Sequence, residues 1–303
     1  MTILGYCRQL LTRHERIRDV YRRWVSHTRF YPPEKRYDKR VALELEAPEE
    51  DVSTAVGNYT FSFPNKCLPG IYADIYGSFK PKEYDTVIEL YAPSIRNVIE
   101  VGGNVGIDTI PFCAKFKNII HYYVFEPHDS FQKFLKKNLE TNGFDQLVEI
   151  APYFVSNVAN GQQRLYRHFT SASVVQPNYK YFPTIDSQDC PTVTLDDFIS
   201  EKQMSSLDFL KIDTDGWDQH VLEGAKKSIV KFKPLILIEY AEHLLVKAGN
   251  SMVSLSKTLH DLGYDLFVVL DLNGSRIVNE YQKLSEVIDP KGSVDVLAIS
   301  ISR

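Results

Sequence analysis

The sequence predicts an α/β protein built on a mostly parallel sheet. Three observations predict it. From residue 97 onward, apolar runs of strand length alternate with helix-length segments. The first run ends in an acid, Glu100, and a glycine turn through Gly102, Gly103 and Gly106. The second run ends in another acid, Glu126. Strands that alternate with helices form parallel sheets covered on both faces. Ligands of such sheets collect at the carboxyl ends of the strands.

Apolar or semi-apolar residues open the chain at Ile3, Cys7, Leu10, His14, Ile17, Tyr21, Trp24 and Thr28. This alternation of four and three is a heptad seam and predicts a helix over 3–29, stopped near Pro32 and Pro33. Such a helix packs on its own domain, pairs with a second copy as a homodimer, or lies on a membrane surface. Residues 31–57 are charged and contain prolines, and are expected to be a linker. The expected division is therefore 1–57, a helix and linker, and 58–303, the α/β domain. Residues 59–63 alternate as a strand before a Pro64-Asn65 turn, and 82–92 read as a helix ending before Pro93.

The main pattern then runs strand 97–101, helix 106–115, strand 120–125, helix 129–141 and strand 147–154. After an irregular piece it resumes with helix 195–202, strand 207–212, helix 217–229 and strand 234–239. Residues 264–269 and 294–300 are two apolar runs separated by polar residues that include Asn273 and Gly274. They read as a long hairpin, so the last strand is expected to run antiparallel.

At 303 residues the chain can bury a full core, and 44% apolar and 24% charged residues are ordinary for a globular protein. No apolar run approaches the ~20 residues of a membrane span. Cys7, Cys67, Cys113 and Cys190 lie far apart and form neither a zinc motif nor a disulfide framework. With no secretory leader legible, a reducing, cytoplasmic setting is expected. Residues 1–40 carry eleven Lys and Arg against four Asp and Glu, so a net charge of −4 joins a basic head to an acidic body. The acidic body argues against an extended nucleic-acid interface.

The glycine turn discriminates between cofactors. A dinucleotide fingerprint would need glycine at 101, and Val101 stands there. Glu100 would repel a pyrophosphate and favours a cationic group. S-adenosylmethionine has an ammonium, a sulfonium and no phosphate. Glu126, at the end of the second strand, could accept two ribose hydroxyls. Asn104 either contacts the cofactor or caps the following helix. Ser156, after the third strand, is placed at the adenine edge.

Three further acids fall at strand ends: Asp213 and Asp215 after strand 207–212, and Glu239 after strand 234–239. Methyl transfer to oxygen needs an in-line nucleophile and a base for its proton. Asp213 or Asp215 could be that base, with His220 one turn further on as another candidate. Alternatively Asp213, Asp215 and Glu239 could hold Mg²⁺. Capping of the next helix is the plain alternative for either aspartate.

Together these residues resemble the FkbM family of S-adenosylmethionine-dependent methyltransferases. The family's D-V-G-A-N-x-G stands here as Glu100, Val101, Gly102, Gly103, Asn104, Val105 and Gly106. Its F-E-P is Phe125, Glu126 and Pro127; its T-L-D-D begins at Thr194; its K-I-D-V-E-G runs from Lys211 to Gly216 with Asp215 in place of Glu. The resemblance covers about residues 95–240. It implies the Rossmann-like, seven-stranded methyltransferase sheet, and the mostly parallel pattern with an antiparallel last strand is consistent with it; the expected N-terminal helical extension, residues 1–57, lies outside the resemblance. It also implies O-methylation of a sugar or other natural-product hydroxyl. Glu100, Gly102, Gly103, Asn104, Gly106, Glu126 and Pro127, with Ser156, are the expected cofactor contacts. Tyr166, His168, Phe169, Tyr179, Tyr181 and Phe182 could stack on a sugar face, and Arg164 and Arg167 could meet an anionic acceptor such as a nucleotide-sugar. A catalytically silent scaffold and a nicotinamide-dependent oxidoreductase are the competing readings.

Overall fold

The computed structural model describes residues 20–22, 25–26, 31–46, 49–65, 67, 71, 75, 84–168, 171–174, 184–271 and 274–301. Among these, the strands in chain order are β1 (Asp51–Val56), β2 (Tyr59–Pro64), β3 (Asn97–Val101), β4 (His121–Phe125), β5 (Val148–Ala151), β6 (Phe154–Val155) and β7 (Gln162–Arg167). They continue with β8 (Ala172–Ser173), β9 (Asp186–Val193), β10 (Phe209–Ile212), β11 (Leu235–Tyr240), β12 (Leu266–Asp271), β13 (Gly274–Val278) and β14 (Val294–Ile299).

The main sheet has eight strands in the order β13-β12-β14-β11-β10-β3-β4-β5. Strands β5, β4, β3, β10 and β11 are mutually parallel. β14 pairs antiparallel with both β11 and β12, so the last strand runs as the sequence predicts. β13 adds an edge strand to the seven expected, antiparallel to β12. The polar residues around Gly274 hid it: Gly274–Val278 is mostly exposed, as an edge strand can be.

Strands buried on both faces need apolar residues on both, and these have them. Val98, Val124 and Leu237 join one core with Ile88, Ile110, Phe131 and Leu135 of the helices Tyr84–Tyr91, Thr109–Lys115 and Asp129–Asn142. Ile99, Leu210 and Ile236 point the other way, into a core with Phe198, Val221, Ile229 and Leu255 of the helices Leu195–Glu201, Asp218–Glu223, Lys226–Phe232 and Met252–Asp261. Each such side chain contributes roughly 1.5–3 kcal/mol on burial.

Two stretches differ from expectation. Residues 31–57 are not a linker. They form the helix Pro33–Glu46 and strand β1, which pairs with β2 as a hairpin turning at Gly57. Pro32 and Pro33 look like a stop, but Pro33 is the first residue of the new helix, the one helical position where a missing N–H costs nothing. Residue 57, the expected boundary, is thus inside a hairpin. The irregular piece between strand 147–154 and residue 195 is a second sheet of order β6-β9-β7-β8. β5 ends at Ala151, and Phe154–Val155 leaves the main sheet to pair with β9. Its two longer strands, β7 and β9, are rich in polar residues, which conceals their alternation.

Of the heptad positions only Tyr21 lies among the described residues; the rest of the predicted seam lies outside them. Nearby, Arg22, Val25 and Ser26 are buried against the helix Pro33–Glu46. Fully buried Glu44 accepts from Arg22 Nε at 2.6 Å, Arg40 Nε at 2.8 Å and Asn65 Nδ2 at 2.8 Å. Although burial opposes it, pairing with these arginines holds the Glu44 carboxyl below its usual range. Glu44→Ala is expected to destabilise the chain by about 3–5 kcal/mol, because it removes the carboxylate that two buried guanidinium groups share. Urea unfolding at neutral pH measures this. The contribution is present above the unfolded carboxyl's ordinary value and is lost as pH falls through the lowered one. No described helix is long and apolar enough to cross a membrane.

Candidate functional site

The carboxyl ends of β3, β4 and β10 open onto one cavity of about 200 Å³. Gly102, Gly103, Asn104, Glu126 and Pro127 line one side of it, and Asp213, Thr214 and Asp215 another. Ser173 of β8 and the preceding Ser171 line it as well, together with Tyr153 and Phe154. Five acids line the cavity: Glu100, Asp108, Glu126, Asp213 and Asp215. No described Lys, Arg or His joins them in the lining. That donor set suits a cation and hydroxyl groups and is hostile to a pyrophosphate.

The glycines serve the strands around the turn. Gly102 has φ +98°, and a Cβ there would lie 1.9 Å from the Asp213 carbonyl oxygen. A Cβ at Gly103 would lie 2.3 Å from Val124 Cγ2. Close approach is therefore of strand to strand. Gly106 precedes the helix Thr109–Lys115. Asn138 anchors the loop by donating to the Val105 carbonyl at 2.8 Å and to the Ser62 carbonyl at 2.7 Å. Asn104 itself has a left-handed backbone, φ 47°, which asparagine tolerates better than most residues. Its N–H donates to Glu126 Oε2 at 2.8 Å, and the N–H of His128 donates to Glu126 Oε1 at 3.0 Å. Burial pushes the Glu126 carboxyl up to about 8 against these two bonds.

Glu100 differs from expectation. It lines the cavity, yet Oε2 accepts from Thr109 Oγ1 at 2.7 Å and from the Tyr122 hydroxyl at 2.6 Å, and Oε1 lies 3.3 Å from Lys211 Nζ. The cation it attracts is this lysine of the neighbouring strand. Ser156 is also displaced. It is absent from the cavity lining, and its hydroxyl accepts from Trp217 Nε1 at 3.3 Å. Tyr153 and Phe154, just beyond the end of β5, line the cavity instead.

The acids at the other side diverge from one another. Asp213 Oδ2 accepts from Lys211 Nζ at 3.0 Å. Asp215, with a left-handed backbone at φ 52°, accepts from the Ser171 hydroxyl. Glu239 accepts from Ser293. The three do not converge as a Mg²⁺ site, and no group of described His, Cys, Asp or Glu residues has metal-binding geometry. The turn carrying Asp213 and Asp215 is held from the next helix by buried Asp218, which accepts from the N–H groups of Thr214 and Gly216 at 3.3 and 3.0 Å. Burial, assisted by the Asp213 charge and opposed by Ser171, pushes the Asp215 carboxyl up to about 6. His220 is outside the cavity, its ring stacked on Trp217 at 3.8 Å, and burial lowers its pKa.

Sequence reasoning missed Lys211, Asp108 and Ser171 as parts of this constellation. A lone lysine in the apolar run 209–212 was the available signal for the first. Arg164 is paired with Asp189 at 3.4 Å, and buried Arg167 is held by Glu49 and Asp186, so neither faces the cavity. Tyr166 stands on β7 and His168 is buried beside Ser173; Phe169, Tyr179, Tyr181 and Phe182 lie outside the described residues.

A family model described as the methyltransferase FkbM domain matches residues 100–266. No curated protein matches the sequence. Among solved structures, the chain is similar to methyltransferase FkbM from Methylobacillus flagellatus KT, with 13% identity, 67% of this chain and 43% of that chain covered, and a TM-score of 0.44. It thus spans less than half of that relative's length. It is similar also to precorrin 8W decarboxylase from Methanobacterium thermoautotrophicum, with 13% identity, coverage of 73% and 91%, and a TM-score of 0.39. A third is precorrin-6y C5,15-methyltransferase from Geobacter metallireducens GS-15, with 10% identity, coverage of 73% and 93%, and a TM-score of 0.38.

Proposed function

Because the chain belongs to the methyltransferase FkbM domain family, we propose that it moves the methyl group of S-adenosylmethionine to a hydroxyl of an uncharged saccharide or glycoconjugate. The observation that carries this reading is Asp215, a carboxylate with a lifted pKa across one cavity from the glycine loop and Glu126. An oxygen acceptor must lose a proton as it is methylated, and a base poised near 6 is ionised at neutral pH and ready to take it.

When bound, the cofactor supplies a methyl group on a sulfonium, which leaves as a neutral thioether. The residues of the chain do the rest. Glu126, steered by the N–H groups of Asn104 and His128, retains acceptor capacity for two ribose hydroxyls. The acid-rich lining complements the positive charge of the donor. On the acceptor side, Asp213 and Asp215 orient hydroxyl groups, and Asp215 takes the proton of the attacking one as the carbon–oxygen bond forms. The same carboxylates repel phosphorylated acceptors, which is why an uncharged saccharide is favoured over a nucleotide-sugar. The Mg²⁺ version is not retained.

The experiment is a transfer assay with a labelled methyl donor over uncharged glycans, amino sugars, nucleotide-sugars and simple amines. Label on the oxygen of an uncharged saccharide is expected. Label found solely on amines or on nucleotide-sugars would overturn the proposal.

A further inference from the structure

Lys211 is an anomaly of the sheet. It stands in the central strand β10, between Leu210 and Ile212, and is 5% exposed. A buried ammonium costs several kcal/mol unless it is well paired. In the parallel register Lys211 lies beside Glu100 of β3, so the two polar side chains share one face at the end of an otherwise apolar column. Its Nζ is 3.3 Å from Glu100 Oε1, 3.1 Å from Asp108 Oδ2 and 3.0 Å from Asp213 Oδ2. All three acids line the cavity, and Lys211 lies behind them. Glu100 and Asp108 flank the glycine loop, while Asp213 belongs to the acceptor side.

We propose that Lys211 is a positioning residue: from behind the cavity its one ammonium group fixes the acceptor-side carboxylates against the donor-side loop. This rests on the donor and acceptor sides assigned above. An ammonium has three N–H groups on a flexible stem and can address three carboxylates from one point. Its charge faces that of Asp213, and the Asp213 charge is one that raises the Asp215 carboxyl. That residue faces Asp213 and Asp218 on its own segment, Glu126 at the end of β4, Glu239 at the end of β11 and Lys247 in the turn 246–248. Removing the lysine charge leaves Asp213 uncompensated, which disfavours ionisation of Asp215.

The test compares Lys211→Met and Lys211→Arg in the full chain, reading kcat, KM and the pH midpoint of kcat. Lys211→Met is expected to lose at least about tenfold in kcat and to move the acid midpoint upward by roughly half a unit to one unit. Lys211→Arg keeps the charge and is expected to keep the midpoint. Its planar guanidinium cannot reproduce the three-way contact, so kcat still falls about fivefold or more. A folded Lys211→Met with an unmoved midpoint and kcat within about twofold overturns the proposal. If Lys211→Met does not fold, a Lys211→Arg chain with wild-type kcat overturns it. Failure of the underlying functional reading appears separately, as a wild-type chain that binds no S-adenosylhomocysteine.

Discussion

Asp215→Asn is expected to lower kcat by roughly 10²–10⁴-fold while leaving the affinity for S-adenosylhomocysteine within about threefold. The substitution keeps the size of the side chain, an acceptor for the Ser171 hydroxyl and a residue type that tolerates φ 52°. It removes only the ability to take a proton. The wild-type profile should show the same group: a base must be ionised, so activity falls about tenfold per unit as pH drops below about 6. In the variant that limb should vanish. Stability should move the other way. A carboxyl raised from 3.8 to about 6 is ionised at a cost above that pH, so Asp215→Asn should be more stable at neutral pH by up to about 3 kcal/mol. Initial rates on the acceptor found by the labelled screen, together with urea unfolding, measure both. A variant with kcat within about threefold of wild type would remove Asp215 from the chemistry.

Gly102→Ala is expected to cost more than about 4 kcal/mol and to leave little folded protein. The new Cβ would lie 1.9 Å from the Asp213 carbonyl oxygen, well inside contact distance, on a backbone at φ +98°. Both β3 and β10 are central strands, so neither can give way without disturbing the sheet. Gly57→Ala separates the two causes. Gly57 is also left-handed, at φ +59°, but its Cβ would meet nothing within 4 Å. It should cost only about 1–2 kcal/mol, the price of the backbone alone. Equal midpoints for the two variants in thermal unfolding would mean that the approach of β3 to β10 is not tight.

How much of this was legible in the sequence depends on where the information is local. The central strands read directly, because burial on both faces demands near-continuous apolar runs. The glycine turn and Glu126 were legible as neighbours in one cavity, because they end adjacent strands. Glu100 was read as facing the cofactor, since alternation along one strand does not tell which partner waits on the next; Lys211, in register with it, supplies the cation. Asp213, Asp215 and Glu239 looked like one set because they share a sheet edge. Their partners, Lys211, Ser171 and Ser293, pull them apart. Ser171 is 44 residues from Asp215 along the chain and reaches it only through the second sheet. That sheet was missed because its longer strands, β7 and β9, are polar.

The central claim, that the cavity between the glycine loop and Glu126 takes the methyl donor, is tested most directly by calorimetric titration with S-adenosylhomocysteine between about pH 6 and 9. Burial holds the empty site's Glu126 near 8, and ribose hydroxyls donate to its ionised form. Affinity should therefore rise about tenfold per pH unit up to about 8 and then level. Glu126→Gln should bind roughly 10–100-fold more weakly at high pH and show no such rise. Absence of binding by the wild-type chain, or wild-type affinity and pH dependence in Glu126→Gln, would contradict the account.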